Sequence, residues 1–98
     1  MDDVIDDTYY FFKENEKVAK DIRRTGLGIM GLGDALIKMK LKYGSPESLT
    51  VIDKIYKTIR DAAYEASVTI AREKGPFPKI DKKKHVEAYF VRQLPETV

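Results

Sequence analysis

A glycine-rich apolar run at positions 24–41 constrains the fold more than any other part of the sequence. Four glycines fall close together in it, at positions 26, 28, 31 and 33. A glycine inside a helix costs about 1 kcal/mol relative to alanine, so the intrinsic helix propensity of this run is low. Its larger apolar residues nevertheless recur at steps of three and four, which is helical spacing: Ile29, Leu32, Leu36 and Met39.

The polar residues of this run predict that such a helix is largely buried. The charged side chains Asp34, Lys38 and Lys42 fall on one narrow strip, and the rest of the surface is apolar or glycine. A helix with so little polar surface is normally buried on most sides. We therefore expect a central helix over about 27–41, with a neighbouring element packed closely against Gly28 and Ala35.

The same run contains the spacing Gly26-x-Gly28-x-x-Gly31, which is also found in dinucleotide-binding proteins. That pattern has a physical meaning only between a buried strand and a helix. The preceding residues, 14–24, are charged and helical in character, so we favour a packing role for the glycines over a cofactor role. No Gly-Lys-Ser/Thr sequence follows, which excludes a phosphate-binding P-loop.

A second helix, over about 46–74, is the clearest in the sequence. Ser45 is a good N-cap, Pro46 suits the first helical position, and Gly75 followed by proline marks the end. Apolar and small residues step by three and four along it: Leu49, Ile52, Tyr56, Ile59, Ala63, Ala66 and Ile70. The short connection at 42–45 favours an antiparallel arrangement with the first helix.

These elements predict an all-α protein, a small helical bundle built on the antiparallel helix pair (about 27–41 and 46–74). A single helical domain, 1–98, is expected. Short helices are expected at 13–24 and near His85, and residues 2–7 resemble the end of a helix. We expect the aromatic segment Thr8–Phe12 to be extended and to lie over a helix face. The tail from Tyr89 to Val98 is expected to fold back on the core.

Composition limits the possible functions. The sequence has no cysteine, which excludes disulfides, thiolate metal sites and thiol catalysis. The net charge of +2 is too small to indicate nucleic-acid binding, and the basic run Lys79–Lys84 is interpreted as a solvated surface. His85 is the single histidine, so any metal site would have to be built from carboxylates. We predict no catalytic, cofactor-binding or metal residues in this chain, no membrane segment, and a cytoplasmic location.

Several stretches resemble the catalytic subunit of ribonucleotide reductase. Residues 23–36 resemble the family's Arg-Arg-x-Gly-Leu-Gly-x-Met-Gly-Leu-x-Asp-x-Leu sequence. The Met30-Gly31-Leu32-x-Asp34 wording is similar to that of the adenosylcobalamin-dependent class. The likeness covers nearly the whole chain, and its other parts are Asp3–Asp6, Tyr43–Ser45, Ile59–Ser67, Ala71–Pro78 and Phe90–Pro95.

The resemblance implies an enzyme that reduces the ribose 2′ position through a cysteine thiyl radical, with a redox cysteine pair. Neither group is possible here, and the Pro-Thr-Gly-Thr type of phosphate-binding turn is also missing. The implied role is a helical scaffold segment, a fragment of the enzyme packed outside its catalytic barrel. No cofactor is expected for this chain, although adenosylcobalamin is implied for the parent enzyme.

Two functions remain open on the sequence alone. The first is a scaffold segment that is inactive without the remainder of the reductase. The second is a free-standing helical module that binds a protein partner, such as the other piece of a split reductase. The expected partners are the remainder of the reductase or a second copy through exposed apolar surface. Neither nucleic acid nor a membrane is expected as a partner.

Overall fold

The computed structural model describes residues 1–95, and these form five α-helices. In chain order the helices are α1 (Asp2–Asp7), α2 (Lys13–Ile22), α3 (Leu32–Lys38), α4 (Pro46–Lys74) and α5 (Lys82–Glu87), followed by a 3₁₀ turn at Val91–Gln93. No strand occurs within residues 1–95. The all-α fold class predicted from the sequence is confirmed.

Helix α4 has the bounds that the sequence predicts. The Ser45 hydroxyl accepts a hydrogen bond from the Ser48 amide at 3.2 Å, and Pro46 occupies the first turn. Gly75 follows the last helical residue with φ +84°, a conformation that favours glycine. At 1.5 Å per residue this helix is about 44 Å long, and it dominates the shape of the chain.

The predicted helix over 27–41 is wrong in its bounds. Helix α3 begins only at Leu32, and residues Arg23–Gly31 contain neither helix nor turn. Gly31 has φ +78° and cannot continue a right-handed helix toward its N-terminus. A Cβ atom built at Gly28 would meet nothing within 4 Å, so no neighbour packs against it as expected. Without such packing the low propensity of the glycines decides the local structure.

Contacts between helices are few. Along the described chain, the close approaches between elements join α1 to α2 and α5 to the 3₁₀ turn. Helices α3 and α4 do not pack along their lengths as an antiparallel pair, and α3 is too short to do so. The radius of gyration is 17.3 Å, compared with about 13 Å for a compact domain of this length. The chain is therefore elongated.

Few side chains are buried, because the helices make few contacts with one another. Leu36 and Ser48 are the fully buried side chains among residues 1–95. Tyr9 is 87% exposed and Phe11 80% exposed, so the aromatic segment does not cover a helix face, which corrects the prediction. It is free of regular structure, as expected, and the rings of Phe11 and Phe12 meet edge to face at 4.8 Å.

The short flanking elements agree with the sequence. The acidic residues 2–7 form α1, and α2 ends at Ile22, two residues before the predicted end. His85 lies within α5, and Phe90 of the predicted tail lies 5.6 Å from Tyr64 of α4, ring centre to ring centre. The last three residues of that tail lie outside the described part of the chain. Among the described residues, no helix has the length and apolar character needed to cross a membrane.

Candidate functional site

The densest group of charged side chains lies where α1 meets the ends of α2 and α4. Helix spacing places Asp2 and Asp6 on one face of α1, since they are four residues apart. Carboxylate oxygens of Asp2, Asp3 and Asp6 all lie within 4.8 Å of one another. We call these three residues together with Arg23 and Lys74 the N-terminal ion-pair cluster.

Arg23, the residue that caps the C-terminal end of α2, contributes its side chain to this cluster. Its backbone is left-handed, with φ 49° and ψ 45°, and its amide still donates to the Ala19 carbonyl at 2.8 Å. The guanidinium nitrogens Nη1 and Nη2 each lie 2.8 Å from an oxygen of Asp6. Nε donates to the Asp2 carboxylate at 2.9 Å. Such forked, charge-assisted pairs are the strongest kind of hydrogen bond that arginine makes.

Lys74 reaches the same carboxylates from the last residue of α4. Its Nζ lies 2.5 Å from Asp3, 3.0 Å from Asp2 and 3.4 Å from Asp6. Lys74 and Asp2 are 72 residues apart in sequence, which is the widest separation of any hydrogen-bonded pair among the described residues. The cluster therefore ties α1, at the N-terminus, to the C-terminal end of α4.

Electrostatics favour the charged forms of Asp2, Asp6, Arg23 and Lys74. The hydrogen bonds from Arg23 are the main reason that the pKa of Asp6 is lowered to about 2, and those from Lys74 add to it. The pKa of Asp2 is also lowered, first by Arg23 and then by Lys74. The carboxylates in turn raise the pKa values of Arg23 and Lys74. These four groups are joined by ion pairs.

The three carboxylates also have the number and spacing of a set of metal ligands. In this structure their oxygens accept hydrogen bonds from two cationic side chains, Arg23 and Lys74. A metal ion or a cationic side chain offsets the repulsion among the carboxylates. The geometry here is that of a structural tie between helices.

A shallow groove of about 650 Å³ adjoins the cluster. The charged residues that line it include Asp2, Asp6, Lys20 and Arg23. The apolar lining comes from the end of α4 and the turn after it: Val68, Ile70, Ala71, Pro76, Phe77, Pro78 and Ile80. His85 also lines the groove, and its ring stands edge-on to Phe77 at 6.5 Å.

Sequence reasoning named no site residue and missed the cluster. Its pairs join residues 17 to 72 positions apart, so no local spacing reveals them. A signal was present, because α1 carries four aspartates and no basic residue in its own sequence. The spacing Gly26-x-Gly28-x-x-Gly31 follows α2, and no strand precedes it in the described chain.

Comparison with known proteins explains why a chain with this architecture has so little interior. Residues 1–95 match the family model described as the ribonucleotide reductase barrel domain. The chain belongs to the ribonucleotide reductase family. This membership confirms the resemblance found in the sequence, and it covers all the described residues.

Three relatives illustrate the match. The chain is 40% identical over 78 residues to the vitamin B12-dependent ribonucleoside-diphosphate reductase of Thermoplasma acidophilum, which is 80% of the chain and 10% of that reductase. It is 38% identical over 78 residues to the vitamin B12-dependent enzyme of Mycobacterium tuberculosis, covering 80% of the chain and 11% of that enzyme. It is 32% identical to a ribonucleoside-diphosphate reductase large subunit of African swine fever virus, with 80% and 10% covered.

The matches cover most of this chain but only a small share of each relative. The chain spans about a tenth of the length of these curated relatives. No solved structure matches the chain. The family is therefore established by sequence, and the match concerns one part of the reductase barrel domain.

Proposed function

We propose that the chain is a non-catalytic structural part of a ribonucleotide reductase large subunit, and that its partner is the rest of that subunit. One observation carries the proposal: a sequence that matches the barrel domain from residue 1 to residue 95 contains no cysteine. The chemistry that the resemblance implies depends on a cysteine radical and a cysteine pair. Both must come from elsewhere in the enzyme.

The distribution of apolar side chains supports a partner of this kind. Met30 is 98% exposed, Ile37 73% and Leu49 58%, while the fully buried residues among those described number only two. Apolar side chains left exposed in this number favour a surface that a partner covers. The rest of the large subunit would cover this surface in the assembled enzyme.

The parent activity follows from the relatives. Two of them are named as vitamin B12-dependent ribonucleoside-diphosphate reductases, which supports the adenosylcobalamin-dependent class. The assembled enzyme would convert ribonucleoside diphosphates to deoxyribonucleotides for DNA synthesis in the cytoplasm. In this proposal the chain binds neither cofactor nor nucleotide and contributes helices and connecting segments.

Calorimetric titration tests the non-catalytic half of the proposal. Ribonucleoside diphosphates, ribonucleoside triphosphates and adenosylcobalamin are added in turn to the isolated chain. We expect no saturable heat at micromolar concentrations, since Lys20, Arg23 and Lys74 in the groove are already paired with carboxylates. Saturable binding of any of the three would place a ligand site within these residues and contradict the proposal.

Self-association is a second candidate, favoured by the same exposed apolar residues. A free-standing helical module would cover Met30, Ile37 and Leu49 with a second copy or with another protein. Sedimentation of the isolated chain at increasing concentration separates this candidate from the first. A discrete, stable dimer would favour the free-standing module, whereas indefinite association would be the behaviour of an interface without its partner.

A further inference from the structure

Helix α1 has little tendency of its own to form a helix. It has six residues, four of them aspartate, and isolated helices shorter than about 12 residues are marginal in water. Asp2 and Asp6 are four residues apart and repel each other. The same holds for Asp3 and Asp7. Asp6 and Asp7 also lie in the last turn, where the helix dipole disfavours negative charge. The helix therefore depends on the groups around it.

Ion pairs provide most of the attachment of α1 to the other helices. No residue of α1 is buried, and of its two apolar side chains Val4 is 63% exposed and Ile5 half-buried. Among the described residues, every hydrogen bond and ion pair from α1 to α2 or α4 ends on Arg23 or Lys74. The side chains of Asp6 and Lys74 are 42% and 41% exposed, so salt can reach these pairs.

The connection between α1 and α2 allows α1 to move away. Residues 8–12 contain neither helix nor strand. The Tyr10 hydroxyl donates to the Ile5 carbonyl at 3.0 Å, but this bond stays within the N-terminal segment. A flexible connection of this length has an end-to-end distance of about 12 Å. Release of α1 would therefore carry its carboxylates out of reach of Arg23 and Lys74.

The groove beside the cluster would change most if α1 were released. Asp2 and Asp6 are the residues of α1 that line it. Arg23 and Lys74 line it as well, and they would lose their carboxylate partners. The apolar lining, which includes the half-buried Phe77, would become more accessible. The open groove would thus have two free cations beside apolar side chains.

We propose that α1 is a strap held by ion pairs, which closes the groove at low ionic strength and unfolds away from it when salt screens those pairs. Access to the groove then depends on ionic strength. The Debye length falls from about 30 Å at about 0.01 M salt to about 3 Å at about 1 M, which weakens interactions between exposed charges. The inference goes beyond the proposed function, since it concerns residues of this chain alone.

A pair of spin labels measures whether the strap is closed. Because the sequence has no cysteine, Val4→Cys and Thr69→Cys provide unique attachment sites on α1 and α4. Both positions are exposed, and neither belongs to the cluster. Electron spin resonance then gives the distribution of distances between the labels. We expect a narrow distribution at about 0.01 M sodium chloride and one that is wider by about 10 Å or more at about 1 M.

Asp6→Lys and Asp7→Lys separate the ion pairs from net charge. Both changes reverse one charge of α1. Asp6 pairs with Arg23 and Lys74, whereas Asp7 pairs with no cation in the part of the chain that the structure describes. Asp6→Lys places a third cation beside two others and should give the wide distribution already at low salt. Asp7→Lys is the matched control and should leave α1 attached.

The anionic apolar dye anilinonaphthalene sulfonate reports the state of the groove itself. Apolar surface elsewhere on the chain is common to the two lysine variants, so a difference in dye binding between them belongs to the groove. We expect about two-fold more dye fluorescence, or a larger excess, with Asp6→Lys than with Asp7→Lys at low salt. Equal fluorescence would mean that α1 does not close the groove and would overturn the inference.

Circular dichroism shows whether the rest of the chain keeps its structure. Helix α4 has 29 residues, so release of α1 alone should lower the helix signal only slightly at high salt. Three results would overturn the inference: a distribution that stays narrow at high salt, equal widening in both lysine variants, or loss of the α4 signal, which would mean unfolding of the whole chain. None of these results bears on the proposed function, which the nucleotide titration tests separately.

Discussion

At the scale of single residues, the arrangement of the N-terminal helices depends on Arg23. Exposed ion pairs usually contribute little, and forked arginine pairs within a network are the exception. Replacing Arg23 with glutamine removes the fork to Asp6 and the contact with Asp2, which leaves neighbouring aspartates to repel one another. We expect a lower melting temperature and faster amide exchange throughout α1.

The matched control is Lys20→Gln, which removes a single ion pair with Glu16 within α2. Both changes remove one positive charge near the same groove, but the control breaks no contact with α1. It should shift the melting temperature much less. Equal effects of the two variants would mean that net charge, and not the position of Arg23, stabilises this region.

The dependence of stability on pH follows from the same pairs. The pKa of Asp6 in the folded chain is about 2, below its ordinary value, because Arg23 favours the charged form. A lowered pKa stabilises the folded state above the unfolded value of about 4 and ceases to do so as pH falls toward 2. The attachment of α1 to Arg23, which amide exchange of α1 reports, should weaken between pH 4 and pH 2. Arg23→Gln should flatten this dependence, and an unchanged profile would contradict the account.

Gly28 gives a prediction that differs between the isolated chain and the enzyme. Nothing lies within 4 Å of a Cβ atom at this position, and its φ is negative. Gly28→Leu should therefore change the free energy of unfolding of the isolated chain by less than about 0.5 kcal/mol, as exposed substitutions do. In an assembled barrel the same change should cost about 1–3 kcal/mol through overpacking. Both values are checked by thermal unfolding of the isolated chain and of a chimera, the Thermoplasma acidophilum reductase with its matching stretch replaced by this chain.

At the scale of elements, α4 was predictable because its signals are local and agree. The N-cap, the proline, the apolar spacing and the terminal glycine lie within one continuous stretch and all indicate a helix. The glycine-rich run was misread because two periods fit it. Ile29, Leu32 and Leu36 fit helical spacing, while Gly26, Leu27, Gly28 and Ile29 alternate with the period of a strand. Propensity and packing choose between these periods, and nothing lies within 4 Å of a Cβ atom at Gly26 or Gly28.

The ion-pair cluster could not have been located in the same way. Asp2, Asp6 and Arg23 meet because α1 folds back beside α2, and Lys74 joins them from the far end of α4. Sequence supplies the charges but not the direction in which α1 turns. The acidic composition of α1 indicates only that a basic partner is needed.

The cap of α4 gives a prediction at the same scale. Ser45→Ala removes the acceptor for the Ser48 amide, and Ser48 is fully buried beside it. We expect a loss of about 1 kcal/mol in the free energy of unfolding. Thr50→Ala is the matched control, since its exposed hydroxyl donates only to the Pro46 carbonyl within the helix. Denaturant titration should show the first variant destabilised and the second nearly unchanged.

At the scale of the whole molecule, the chain has the shape of a part rather than of a compact unit. Its radius of gyration exceeds the value for a compact domain, and its apolar side chains are largely exposed. Family membership accounts for both properties, because the chain spans about a tenth of its relatives' length. Helices with so few contacts between them do not form a full core.

Reductase activity of the chimera is the measurement that tests this account most directly. The Thermoplasma acidophilum reductase is prepared intact, without the matching stretch, and with that stretch replaced by this chain. Deoxyribonucleotide formation from a ribonucleoside diphosphate is measured for each with adenosylcobalamin. We expect the deletion to be inactive and the replacement to regain activity within about 10-fold of the intact enzyme, while the isolated chain shows none. A folded replacement without activity, or activity of the isolated chain, would contradict the account.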